Sequence, residues 1–211
     1  YVHMVLDYTT KVVAAMIRLQ LLSSMRPGEV VIMRPCDIDR TGNIWHYLPY
    51  KYKTQHLDDP TKRRIISIGP KGQEILRPFL LRKDDSYCFT PQESEQDRRV
   101  RQFKLRKTPL SCGNKPGSNK KEEPNRKPGT AYDTTSYGKA IRYAIKAARK
   151  AGLQVSDWTA YQLRHTAATK VRKEYGYESA GAALGHTNMS ATAIYAERNQ
   201  GLADQAALKF G

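Results

Sequence analysis

Apolar side chains fall at helical spacing along the first part of the chain. Val12, Val13, Met16, Ile17, Leu19 and Leu22 recur every three to four residues over 9–24, a period that predicts a core helix. A second helix is expected directly after Arg26. Pro27 suits a first helical turn, where its missing N–H would have no partner anyway, and Glu29 complements the positive end of the helix dipole. This helix runs through Val30, Val31 and Met33 toward Pro35. The pattern then changes. Asp37-Ile38-Asp39 and a Thr41-Gly42-Asn43 turn lead into Ile44-Trp45-His46-Tyr47-Leu48, an aromatic and β-branched run that predicts a strand. Arg63-Arg64-Ile65-Ile66-Ser67-Ile68 is the next strand. Residues 37–68 therefore predict a small antiparallel sheet with a long basic connection over 50–63. Pro70 then opens a helix that buries Ile75, Leu76, Phe79 and Leu80.

Residues 91–130 have a different texture, dominated by Gln, Glu, Arg, Lys, Ser, Pro and Gly with Phe103 and Leu105 as rare apolar anchors. They are expected to form a long polar loop or partly ordered insertion. Helical periodicity returns over 134–151, where Tyr137, Ile141, Ala144, Ile145 and Ala148 share one face. Lys139, Arg142, Lys146, Arg149 and Lys150 make the remainder cationic, and Gly152 ends the helix. Further helices are expected over 160–174, near 177–184, as a short turn around Tyr195, and over 201–208. No internal repeat is present. The pattern predicts an α+β class, mostly helical with one small antiparallel sheet.

Charge narrows the partners. With 36 Lys and Arg against 20 Asp and Glu, the 211-residue chain carries +16, spread along its whole length, and this points to a polyanion such as nucleic acid. Cys36, Cys88 and Cys112 are odd in number and form no CxxC pair, which argues for a reducing compartment without a disulfide framework or zinc site. No apolar run reaches the ~18 residues of a membrane span, and no signal peptide is visible. The chain begins at Tyr1 and enters an apolar periodic segment at once, so it reads as a domain excised from something longer.

The candidate chemistry lies in an ordered set. Ser24-Met25-Arg26-Pro27-Gly28-Glu29 stands near the start; Tyr161-Gln162-Leu163-Arg164-His165-Thr166 opens a helix; Leu184-Gly185-His186 follows 22 residues after Arg164; and Ala191-Thr192-Ala193-Ile194-Tyr195 ends nine residues after His186. Tyrosine is common here, at 13 residues, so Tyr195 stands out only by its company. Two guanidiniums, an imidazole and a phenol can neutralise a phosphodiester, supply a nucleophile and manage protons without a metal.

This arrangement resembles the tyrosine recombinase (phage integrase) family, in which an R-x-x-E arginine, a β-hairpin lysine, an H-x-x-R segment, a G-H pair and a later tyrosine form the site. The resemblance extends over residues 9–200 apart from the 91–130 insertion. It implies the family's catalytic fold over 1–211, with the N-terminal core-binding domain not included. Arg26 and Arg164 would bracket the scissile phosphate, and Tyr195 would attack phosphorus to form a 3′-phosphotyrosine. His186 would hydrogen-bond the phosphate or assist proton transfer. Lys51 and Lys53 both lie in the 50–63 connection; Lys53, followed by Thr54, matches the family's Lys-Thr pair and is chosen as the acid for the leaving 5′-oxygen, with Lys62 as an outsider. The chain departs from the family at Tyr161, which occupies the usual histidine position and is a poor base at neutral pH. His165 is assigned a structural role.

The resemblance further implies strand exchange on double-stranded DNA by a mobile-element integrase. No cofactor, metal or ATP would be needed, since the phosphotyrosine bond conserves the phosphodiester energy. A homotetramer on paired sites, accessory directionality proteins, a cytoplasmic, nucleoid-associated location and no membrane contact go with it. Residues 201–211 would dock on a neighbour or pack back on their own chain. The rivals are a type IB topoisomerase with the same chemistry, a non-catalytic DNA-binding module, and a metal-dependent nuclease, for which Asp37, Asp39, Asp58 and Asp59 offer no convincing ligand pattern.

Overall fold

The computed structural model describes residues 1–52, 63–109, 111–112 and 127–185. A short helix α1 (Val2–Leu6) precedes α2 (Lys11–Ser23), which Thr10 caps by accepting the Val13 N–H. Helix α2 is the axis of the molecule. Its Met16, Ile17 and Leu19 are fully buried, each stabilising the fold by roughly 1.5–3 kcal/mol relative to an exposed side chain. Helix α3 (Pro27–Val31) is shorter than its apolar pattern predicts, because the chain leaves it before Pro35, which opens a single 3₁₀ turn (Pro35–Asp37). Strands β1 (Ile38–Asp39), β2 (Trp45–Tyr47) and β3 (Ile66–Ile68) form the expected antiparallel sheet in sequence order. The register opposes Trp45 to Ile68 and Tyr47 to Ile66, so all four bury on one face while His46 and Ser67 face outward.

Helix α4 (Pro70–Leu76) and a 3₁₀ turn (Arg77–Phe79) follow, with Leu76 fully buried and Ile75, Phe79 and Leu80 packed at the margin of the core. Helix α6 (Thr134–Lys150) buries the five predicted positions Tyr137, Ile141, Ala144, Ile145 and Ala148. Asp133 caps it, accepting the Ser136 N–H at 2.5 Å. Helix α7 (Ala160–Leu184) contains both helices expected over 160–184, joined at a kink at Gly176. With φ 86° and ψ −179°, Gly176 occupies a backbone region essentially closed to other residues.

Of the long polar loop or partly ordered insertion expected over 91–130, the first part is ordered. Residues Pro91–Lys104 form a 14-residue helix, α5, whose Thr90 cap accepts the Glu93 N–H. Charge and capping replace the missing apolar period: Glu95 pairs with Arg98 at 2.7 Å and with Arg99 at 2.8 Å. The helix docks through polar groups as well, with the Lys11 N–H donating to Asp97 and Arg101 donating to the carbonyls of Asp7 and Thr9. The tip of the predicted insertion, the turn around Tyr195 and the helix over 201–208 lie outside the described residues. Among the described residues, no helix is long and apolar enough to cross a membrane.

Candidate active site

Arg26 is the N-cap of α3, held in extended backbone between the end of α2 and Pro27. The preceding turn is fixed from two sides. Ser24 adopts the left-handed conformation that ends α2. Gln20, wholly buried, donates through Nε2 to the carbonyls of Met25 (3.0 Å) and Ala160 (3.3 Å) while its Oε1 accepts the Tyr137 hydroxyl at 2.9 Å. One side chain on α2 thus ties the Arg26 turn to α6 and to the start of α7. Tyr137 belongs to the core, as its position in the apolar face predicts, and burial raises its phenol well above the usual range.

Glu29 lies one turn into α3 and is 1% exposed. Its carboxylate accepts the Arg26 backbone N–H at 2.6 Å and the Arg26 Nη1 at 2.9 Å, which aims the Arg26 guanidinium. It also receives Nε of Arg64 at 3.4 Å, and its own carbonyl accepts the Tyr47 hydroxyl at 2.8 Å. The carboxylate therefore joins two arginines from distant parts of the sequence. Burial pushes the Arg64 guanidinium below its usual value; Glu29 opposes that shift and the Arg26 charge adds to it.

Arg164 is 1% exposed on α7. Its Nη1 donates to the carbonyl of Ser24 at 2.6 Å and its Nη2 to that of Leu184 at 2.8 Å. Sequence reasoning brings Arg26 and Arg164 together around a phosphate. In this structure Arg164 holds the backbone beside Arg26 and is absent from the walls of the cleft into which Arg26 opens. The Leu184 carbonyl is one of the orphan acceptors at a helix end, and a guanidinium there also complements the negative end of the helix dipole.

That cleft has a volume of about 680 Å³, and its walls include Arg26, Lys51, Tyr52, Tyr132, Thr134 and Tyr161. Tyr161 is half exposed and meets His165 edge to face, with ring centroids 5.1 Å apart. Desolvation, then the neighbouring Arg164 charge, lowers the His165 pKa below its usual value, which favours a neutral ring. Lys51 reaches the cleft because the chain is clamped at Tyr50: the Arg34 guanidinium lies 4.2 Å over the Tyr50 ring while its fork engages Asp37 at 2.8 Å, and the Tyr50 and Tyr87 hydroxyls are 3.2 Å apart. Tyr132 is set by a hydrogen bond to Ser94 at 2.7 Å, and Ser94 in turn meets Thr10 at 2.8 Å.

Of the expected site residues, Arg26 and Tyr161 line one cleft and Arg164 secures its backbone. Lys53, His186 and Tyr195 lie outside the described residues. Sequence reasoning missed Arg64 and Gln20. Arg64 had a visible signal, since strict alternation through Arg64, Ile66 and Ile68 puts all three on the buried side of the chain. Gln20 had none, because its partners are the carbonyls of Met25 and of the distant Ala160 and a tyrosine 117 residues away.

A family model described as "Phage integrase family" matches residues 4–201. No curated protein matches the chain in sequence. Among solved structures, XerA recombinase is similar with a TM-score of 0.60 at 18% identity, over 100% of this chain and 63% of its own. The XerH site-specific recombinase in its pre-cleavage complex with difH substrate gives 0.55 at 18% identity, over 98% and 51%. The Tn1549 transposon integrase in complex with circular intermediate DNA gives 0.57 at 14% identity, over 91% and 56%. At these identities the likeness is one of fold, a mostly helical domain with a small antiparallel sheet. The chain spans 63% or less of the length of each of these three proteins.

Proposed function

Because this chain belongs to the phage integrase family, we propose that it is the catalytic part of a site-specific DNA recombinase that cleaves and rejoins strands through a 3′-phosphotyrosine. The supporting observation is the pinned Arg26: a guanidinium whose orientation is set by the buried Glu29 carboxylate, opening into a cleft that it shares with Lys51, Asp133 and Tyr161. Such a preorganised donor stabilises charge that grows on the non-bridging oxygens as phosphorus becomes pentacoordinate, and it does so without reorganising during the reaction.

In this reading Tyr195 attacks phosphorus, its phenolic proton leaves to His186 or water, and the P–O5′ bond breaks as Lys53 protonates the departing oxygen. Religation is the reverse, with a 5′-hydroxyl of a second strand displacing Tyr195. Arg164 adds the second positive charge, exchanging a backbone carbonyl for a phosphate oxygen once DNA is bound. Tyr161 hydrogen-bonds the phosphate or the nucleophile and does not serve as base. The partner is double-stranded DNA, on which four copies act at paired sites with accessory directionality proteins.

The test is a nicked suicide substrate carrying the element's own end sequence. A denaturation-resistant protein–DNA adduct is expected, formed in EDTA and abolished by Tyr195→Phe. Persistence of the adduct in that variant would remove Tyr195 as the nucleophile.

A further inference from the structure

Among the described residues, Arg64 is a buried charged group that the proposed chemistry leaves unused. It is 7% exposed, sits just before β3, and spends its donors on two distant segments and on its own neighbour. Nε donates to Glu29 at 3.4 Å, Nη1 to the carbonyl of Ile65 at 3.4 Å, and Nη2 to the carbonyl of Ala183 at 3.4 Å. Gly185, in the left-handed conformation that ends α7, lies so close that a Cβ there would collide with the Arg64 guanidinium.

We propose that Arg64 is a positioning residue for the cleavage step, a guanidinium strut that sets the distance between the Glu29–Arg26 pair and the carboxyl end of α7. The proposal rests on the recombinase reading above. Three features favour a strut over simple burial. Glu29 already has Arg26 as its counter-charge at 2.9 Å, so Arg64 is surplus to neutralising it. Ala183 is 119 residues away in sequence, so the fork closes a contact between separate parts of the fold. Gly185 supplies the clearance that the fork needs, and the next residue in the chain is His186. Arg64 and Arg164 act in parallel: one holds the carbonyl of Ala183, the other that of Leu184, and each reaches the Arg26 segment, through Glu29 or through Ser24. The end of α7 and the start of α3 are thereby braced at two points before DNA binds, and by Arg64 once Arg164 turns to the phosphate.

The experiment measures single-turnover adduct formation on the suicide substrate, reading rate constant and final amplitude separately, together with DNA affinity. Absence of adduct in the wild-type chain would defeat the recombinase reading itself and is distinct from any result below. In Arg64→Gln, the polar stem remains but the fork is lost. The rate is expected to fall about 100-fold, the scale of a displacement near 1 Å at a reacting centre, with amplitude and DNA affinity retained. Arg64→Lys keeps one charge on Glu29 but cannot also span to Ala183, and is expected to lose about tenfold. A fall in amplitude at an unchanged rate marks a misfolded fraction and overturns the proposal, as does a wild-type rate in either variant. If Arg64→Gln does not fold, Arg64→Lys decides alone; its failure to fold would make Arg64 a scaffold residue and sink the idea.

Discussion

Truncation of Glu29 to alanine is the sharpest test of how the site is held. The carboxylate accepts the Arg26 N–H and guanidinium and the Arg64 Nε, and is 1% exposed. Its removal leaves Arg64, itself 7% exposed, with no carboxylate partner among the described residues. Breaking a buried pair from one side costs about 3–5 kcal/mol, because the remaining charge stays desolvated. Arg26 recovers some hydration, since its side chain is 16% exposed, so the lower end of that range applies. An exposed pair such as Glu95 with Arg98 and Arg99 contributes less than about 1 kcal/mol. Glu29→Ala should therefore lower the unfolding free energy by about 3 kcal/mol, a large share of a typical total near 5–15 kcal/mol, and Glu95→Ala by under about 1 kcal/mol. Urea denaturation followed by fluorescence of Trp45 and Trp158, both buried, measures the difference. The double variant Glu29→Ala with Arg64→Met should recover part of the loss by removing the stranded charge. A Glu29→Ala loss below about 1 kcal/mol, or a double variant weaker by the sum of the singles, would refute the buried-charge account.

The remaining predictions concern separate parts of the fold. Gly176→Ala forces a Cβ onto a backbone angle that costs about 1–3 kcal/mol, and a thermal midpoint equal to wild type would contradict the kink. Tyr161→Phe should slow adduct formation per folded molecule less than Arg164→Ala does; equal losses would reverse that ranking. Lys53→Ala should reduce cleavage more than Lys51→Ala, and rescue by a substrate whose leaving oxygen is replaced by sulfur would mark which lysine is the acid. The hydrogen bond from Arg98, and that from Arg99, holds the Glu95 carboxyl down at about 2 against an ordinary 4.5. Its contribution is therefore complete above about pH 4.5 and lost as pH falls from there toward 2. The urea-midpoint gap between wild type and Glu95→Gln should close over that window, and a gap independent of pH would exclude the assignment.

How much was legible in the sequence depends on what holds each element. Helix α6 was readable to the residue because its buried face is wholly apolar, so periodicity and burial carry the same information. The sheet was readable from its aromatic and β-branched runs and the turn between them. Helix α5 was not, because caps and charge pairs stabilise it and a polar composition looks like loop. The same limit applies at the site. The pairing of Arg26 with Glu29 follows from their three-residue spacing on a helical turn, whereas Arg164 engages carbonyls, and any residue has a carbonyl. Arg64 was concealed differently: its alternation marked it as inward-facing, but its charge argued for the surface. Glu29, 35 residues away, resolves that conflict.

The bond from Arg164 to the Ser24 carbonyl spans 140 residues of sequence, and this has a consequence during synthesis. Closing a loop of that length costs about 4 kcal/mol of chain entropy, which local helices cannot offset one by one. At roughly 5–20 residues per second, about 7–28 s separate translation of Ser24 from that of Arg164. Through that interval the nascent chain already carries much of its positive charge, yet Ala160, Tyr161 and Arg164, which clamp or wall the cleft, do not exist. An unfinished chain carries the charge without the assembled pocket, so order of synthesis itself withholds the site until α7 has been made.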